Sequence, residues 1–412
     1  MLHQGVLRPV VASQYLRPVL FPMTYLLTNC RVYTGDVVLV EHDVLVQGTT
    51  IQAVIPRSQR PAGIAHVDGQ GLNVCPGFVD VQLYGGGDSA FGLAPSATAL
   101  QQLRRHTLRH GTTSFLPTVP TNAPAVIDHA LAVVKDALPT MPGLLGLHLE
   151  GPYISPHKRG VHPAAFVRVP VLTELVDLLK RGCGVLRMLT LAPEVLGPAE
   201  RALLHAAGVV LSAGHSDASY EQGMHAFAHG FTAATHLFNA MSPLTGRAPG
   251  LVGAVYDDPA VRASIVVDGR HCAYASVRIS QRLLGARLFL ISDATAATTT
   301  PPYCFHPQDD YFVDADGTLA GSGLTLLQAV RNCVQHVGLP LAESLRMASL
   351  YPAQMLGLDD HLGRIAPAYR ADLCLFDEDL NVRATVLAGQ LQWHEESARP
   401  PAPLASPQES KR

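Results

Sequence analysis

Eight short apolar runs recur through the middle of this 412-residue chain, at about 74–84, 113–118, 144–150, 185–191, 209–215, 232–236, 263–268 and 288–293. Amphipathic stretches of helical period fall between most of them, at 97–110, 124–137, 171–181, 197–207 and 218–229. Gly111, Gly208 and Gly230 stand just after such stretches, where a helix ends in a left-handed residue. Eight strand-helix alternations predict the α/β class and a (β/α)8 TIM-like barrel. A doubly wound open sheet is the alternative, and eight strands would be large for one. No Gly-x-Gly-x-x-Gly or P-loop is present, and Gly85-Gly86-Gly87 lacks the Lys-Ser/Thr of a phosphate loop. It reads as a tight turn at the barrel mouth.

The two ends of the chain have a different texture. Short β-like runs separated by Asp, Gly and Pro fill 24–73, and the same pattern returns at 372–376 and 382–391. This predicts a small β-sandwich built from both ends: residues 23–73 as its N-terminal part, 74–361 as the barrel, and 362–394 as its C-terminal part. Residues 1–22 read as an extension, or as lying upstream of a true start at Met23. Residues 395–412, rich in Pro, Ser, Glu and Ala, read as a disordered tail.

The net charge of −3 and the 15% charged residues give no reason to expect nucleic acid or an anionic membrane as partner. No apolar stretch approaches the ~20 residues that span a bilayer. Seven cysteines, an odd number with no Cys-x-x-Cys pair, argue against a disulfide framework or structural zinc cluster and predict a cytoplasmic protein.

Four of the apolar runs end in a carboxylate or imidazole: Glu150, His215, His236 and Asp293. In a parallel barrel such ends converge on one mouth, where chemistry is done. Three protein ligands and an open position suit a hydrolytic metal, and Glu150, His215 and His236 supply one oxygen and two nitrogens. Asp293 is then the acid/base that serves the attacking water. One divalent ion per subunit is expected, Zn²⁺ first, with Fe²⁺, Co²⁺ and Mn²⁺ also compatible. His148, two residues before Glu150, reads as a hydrogen-bonded core residue. His106, His110, His129, His205, His225 and His229 lie in helical stretches as surface or core residues.

At this point a resemblance is plain. Pro76-Gly77-Phe78-Val79-Asp80-Val81-Gln82-Leu83 resembles the first barrel strand of the amidohydrolase superfamily. His148-Leu149-Glu150-Gly151-Pro152-Tyr153, Ala213-Gly214-His215-Ser216, Thr235-His236-Leu237-Phe238-Asn239-Ala240-Met241 and Asp293-Ala294-Thr295 are similar to motifs of the N-acetylglucosamine-6-phosphate deacetylase family. So are Thr245-Gly246-Arg247-Ala248-Pro249-Gly250, Asp268-Gly269-Arg270-His271 and Ala320-Gly321-Ser322. The resemblance runs from about 24 to 392.

It implies the same metal set, with Asp293 activating water and protonating the departing sugar amine. It implies that His162 contacts the sugar and helps polarise the acetamide carbonyl. Asn239, Ala240, Arg247, His271, Ala320, Gly321 and Ser322 become candidate substrate contacts. Arg247 is the bidentate phosphate binder, and His271 is shared across the interface of a homodimer. Lys158 and Arg159 add mild attraction for an anion. Many superfamily members carry His-x-His on the first strand for a second metal, whereas Gln82-Leu83-Tyr84 stands here. One metal is therefore expected, with Tyr84 either filling the vacated place or packing as a barrel aromatic. The implied reaction converts N-acetylglucosamine 6-phosphate to glucosamine 6-phosphate and acetate. Two alternatives stay open: the N-acetylgalactosamine 6-phosphate substrate, and a non-catalytic scaffold on the same barrel.

Overall fold

The computed structural model describes residues 24–394. The expected extension at 1–22 and the expected tail at 395–412 lie outside the described residues. Eight strands pair in parallel and in chain order: Phe78–Leu83, Thr112–Pro120, Leu147–Glu150, Leu186–Leu191, Val210–Ala213, Phe231–Ala234, Arg262–Ile265 and Leu288–Leu290. The last returns to the first. The Asp293 N–H donates to the Gln82 carbonyl at 3.0 Å and the Tyr84 N–H to the Ala294 carbonyl at 2.7 Å. That closure makes a barrel and excludes the open sheet. Every residue of Phe78–Leu83 and Thr112–Pro120 is buried. Strands covered on both faces read as mainly apolar runs, here with buried polar residues such as Asp80, Gln82, Ser114 and Thr118 set among them.

Helices cover the barrel. Ala97–Arg109 is typical: the Ser96 hydroxyl caps its start by accepting from the Ala99 N–H, and Leu100, Leu103 and Thr107 form its buried stripe. Gly111, Gly208 and Gly230 all have positive φ, as their positions after helices predict.

The second unit draws on both chain ends. Its hydrogen-bonded order is Gln390–Trp393, Val382–Leu387, Leu373–Phe376, Asn73–Pro76, Thr24–Tyr33, Val38–Gln47 and Thr50–Pro56, with Ala65–Asp68 pairing to Thr24–Tyr33. Val32, Val44 and Ile51 from one end share a core with Leu373, Leu375 and Val386 from the other.

The run read as one strand over 74–84 is in fact two. Asn73–Pro76 belongs to the end-built sheet and Phe78–Leu83 to the barrel. The break falls at Gly77, whose N–H donates to the Asp372 carbonyl at 2.8 Å. A Cβ at Gly77 would sit 2.0 Å from the Thr113 hydroxyl, so only glycine lets the chain pass between the two units here. A three-stranded antiparallel sheet, His306–Gln308, Tyr311–Val313 and Leu319–Ser322, was not anticipated. It follows the last barrel strand and contributes to one wall of the cleft described next.

Candidate active site

Glu150 is the last residue of its strand, while His215, His236 and Asp293 stand two or three residues past theirs. At those three the backbone turns into the left-handed region, with φ of 47°, 35° and 54°. Such geometry is strained for a side-chain-bearing residue and is held by its surroundings. The His236 N–H donates to the Ser264 hydroxyl at 2.8 Å. The His215 carbonyl accepts from the Ser155 N–H at 2.8 Å, and the Asp293 carbonyl from the Ser322 N–H at 3.0 Å.

The side chains converge. His236 Nε2 lies 3.0 Å and His215 Nε2 3.3 Å from Glu150 Oε1. The two imidazole nitrogens are 3.1 Å apart, and one donor atom from each of the three residues falls within 4.8 Å of the others. His215 Nδ1 lies 2.9 Å from the Lys158 carbonyl. Because that carbonyl only accepts, Nδ1 carries the hydrogen and Nε2 turns its lone pair to the cluster, as a metal ligand requires. Two nitrogens and a carboxylate oxygen crowded in this way fit a divalent transition ion. Burial disfavours the Glu150 carboxylate, yet His215 and the other neighbouring imidazoles hold it well below the usual range. Burial likewise works against His236, but Glu150 raises its pKa above the ordinary histidine value.

His162 is buried beside the cluster, its Nε2 3.1 Å from Glu150 Oε2. Its Nδ1 accepts from the Thr121 N–H at 3.3 Å, which places the hydrogen on Nε2. Burial, reinforced by His215, lowers its pKa, so it is a neutral N–H donor. His148 is a core residue, bonded to the Val81 carbonyl and the Thr190 hydroxyl at 2.8 Å each. Burial lowers its pKa to about 4.

Asp293 is held from two sides. Gln82 Nε2 is 3.0 Å from Oδ1 and His271 Nε2 3.3 Å from Oδ2. His271 Nδ1 lies 2.6 Å from Asp268 Oδ2, and Asp268 also accepts from the Arg270 and His271 N–H groups at 2.8 Å. Both ring nitrogens are engaged by carboxylates of its own chain, and its side chain is only 6% exposed. Asp268 was not singled out from the sequence, although it closes the run at 263–268 as Glu150 closes its own.

Burial alone would lower the pKa of His271, but Asp268 and Asp293 push it up to about 9. Its folded pKa exceeds the unfolded value of about 6.5. The stability it contributes is thus full below about 6.5 and is lost as pH rises through about 9. In a histidine NMR titration of the metal-free protein, the resonance missing from His271→Gln is expected to titrate near pH 9. A midpoint below neutrality would refute the clasp.

A cleft of about 350 Å³ opens over these groups, lined by Glu150, His162, His215, His236, Asn239, Ala240, His271, Asp293, Ala320 and Gly321. Tyr84, Lys158, Tyr303 and Phe305 are also among its wall residues. Two expected contacts are elsewhere. Arg247 is exposed and outside the lining, on a turn closed by Thr245 and Ala248. Ser322 is buried, its hydroxyl given to the Ser292 carbonyl at 2.6 Å. Within one chain, neither borders the cleft.

Comparison with known proteins agrees with this geometry. The amidohydrolase family matches residues 73–392, and the NagA composite domain residues 24–74. The N-acetylglucosamine-6-phosphate deacetylase of Haemophilus influenzae is 38% identical over 384 residues, covering 90% of this chain and 100% of the relative. The N-acetylgalactosamine-6-phosphate deacetylase of a Shewanella species is 36% identical over 332 residues, covering 78% of this chain and 84% of the relative. The crystal structure of the N-acetylglucosamine-6-phosphate deacetylase from Pasteurella multocida superposes with a TM-score of 0.86 at 34% identity, covering 90% of this chain and 100% of that one. With matches that run through both the barrel and the end-built sheet, the chain belongs to the N-acetylglucosamine-6-phosphate deacetylase family of amidohydrolases.

Proposed function

We propose that the protein hydrolyses the acetamide of N-acetyl-D-glucosamine 6-phosphate, giving D-glucosamine 6-phosphate and acetate, in amino-sugar catabolism or the recycling of cell-wall sugars. The observation that carries this reading is the placement of Asp293, a carboxylate without a metal-facing role, beside the Glu150–His215–His236 cluster in one cleft. A divalent ion held by those three residues supplies Lewis-acid polarisation of the carbonyl and a lower pKa for water. Zn²⁺ is the first choice, and availability decides among it, Fe²⁺, Co²⁺ and Mn²⁺.

The chain's own groups then divide the work. Asp293 takes a proton from the attacking water as the new C–O bond forms. The Nε2–H of His162 donates to the oxygen on which charge develops. Asp293 next gives its proton to nitrogen as the C–N bond breaks, because an amide anion is too poor a leaving group. His271, held between Asp268 and Asp293, keeps the acid/base carboxylate aimed. The Asn239 amide, the backbone at Ala240, and Ala320 and Gly321 border the sugar and its phosphate.

The Shewanella relative supports a second reading, the N-acetylgalactosamine 6-phosphate substrate, which differs at one hydroxyl. Acetate release from both 6-phosphates, with and without chelator, tests the pair. Faster chelator-sensitive turnover of the gluco sugar is the expected result, and turnover of neither sinks the proposal. A cytoplasmic homodimer completes the reading. Light scattering is expected to give twice the 43.9 kDa chain mass, and a monomer would remove the dimer from the proposal.

A further inference from the structure

We infer that Tyr84, together with Gln82, is a positioning clamp that decides which oxygen of Glu150 is offered to the metal. The inference rests on the reading of Glu150, His215 and His236 as the metal-holding set. The two carboxylate oxygens of Glu150 have separate surroundings. Oε1 faces the His236 and His215 nitrogens at 3.0 and 3.3 Å. Oε2 faces the Tyr84 hydroxyl at 2.6 Å and His162 Nε2 at 3.1 Å. An ionised carboxylate only accepts, so the phenol donates, and 2.6 Å is the short distance of a charge-assisted O–H···O⁻ bond.

The hydroxyl is itself held. Gln82 Nε2 donates to it at 2.7 Å, so amide, phenol and carboxylate form a chain in which each bond polarises the next. The same amide nitrogen lies 2.9 Å from Glu150 Oε1 and 3.0 Å from Asp293 Oδ1. One side chain thus ties the metal carboxylate to the acid/base. The Tyr84 backbone is pinned where the barrel closes: its N–H donates to the Ala294 carbonyl at 2.7 Å and its carbonyl accepts from the Gly92 N–H at 2.6 Å. The ring is buried, on the wall of the cleft.

Two consequences separate this role from simple space filling. With Oε2 capped, Glu150 presents one oxygen to the histidine pair and binds in a single-oxygen mode. A carboxylate that bridges two ions through both of its oxygens needs Oε2 free, so the same bond disfavours that arrangement. Partners that orient a ligand in this way typically contribute 10–100-fold in metal affinity.

The test uses Zn²⁺ and competition with a chelator on the full-length protein. Y84F keeps the ring and removes only the hydroxyl. Its Zn²⁺ dissociation constant is expected to rise about 10–100-fold, with the thermal midpoint of the metal-free protein lowered only by the loss of one buried hydrogen bond. Gln82→Met, which removes the amide behind the phenol, is expected to weaken Zn²⁺ in the same direction and keeps the test open should Y84F fold poorly. Unchanged affinity in both variants, with tight binding by the wild type, overturns the clamp alone. Failure of the wild type to bind Zn²⁺ overturns the metal reading and the clamp with it. A phenolate-to-iron charge-transfer band in the Fe³⁺-loaded wild type, lost in Y84F, would make Tyr84 a ligand and also overturn the clamp.

Discussion

Asp293→Asn is expected to keep its metal and lose catalysis, with kcat falling about 10³–10⁴-fold, the upper part of the range for a positioned acid/base. Asparagine has nearly the shape of aspartate, and its carbonyl oxygen can still accept from Gln82 Nε2, which lies 3.0 Å from Oδ1 in the native chain. It cannot accept a proton from water or return one to nitrogen. Because Asp293 is outside the Glu150–His215–His236 set, metal content should stay near the wild-type level. KM should change far less than kcat, since the lost interaction belongs to the transition state. Kinetics paired with elemental analysis decide the matter. A variant within tenfold of wild type would remove Asp293 from the mechanism, and a metal-free variant would instead make it a ligand.

The second large effect concerns the cluster itself. Chelation is expected to remove one metal equivalent per chain and abolish turnover, and one equivalent of Zn²⁺ should restore it. His236→Ala should weaken the metal by well over the ~10–100-fold typical of losing an outer partner, since it deletes one of the three side chains proposed to hold it. Affinity should also fall in acid. Burial opposes charge on His236, but Glu150 raises its pKa above the ordinary value. Protons therefore begin to compete with the ion at a higher pH than for a free histidine. Binding also stabilises the fold, by about 2.7 kcal/mol at a free-ion concentration one hundred times Kd, so the thermal midpoint should drop on chelation. Two tightly bound equivalents, or full activity after chelation, would contradict the single-metal site.

The barrel was legible because its strands are covered on both faces, which leaves runs such as 144–149 and 288–292 largely apolar and short. The site was legible because each run is cut off by a residue that no core tolerates unpaired. What stayed hidden has physical causes. The apolar signal passes through Gly77 without interruption, so the change of sheet there leaves no trace in hydropathy. His306–Gln308 is exposed throughout, and a polar three-residue strand has no pattern to read. Arg247 and Ser322 lie close along the chain to residues of the cleft, yet within one chain Arg247 is on an exposed turn and the Ser322 hydroxyl is bonded to the Ser292 carbonyl. The roles suggested for His162 and Asn239 came from the resemblance, since a loop histidine or asparagine carries no signal of its own.

The left-handed backbone at His215, His236 and Asp293 bears on any attempt to engineer this enzyme. Each such residue costs on the order of 1–3 kcal/mol, and glycine or asparagine would relieve much of that. The fold and its chemistry thus pull in opposite directions at the same three positions. Selection of variants for heat resistance alone, in the absence of metal, should enrich glycine or asparagine there and yield sturdier, inert barrels. Selection with the ion present opposes that drift at His215 and His236, whereas at Asp293 only selection for turnover does.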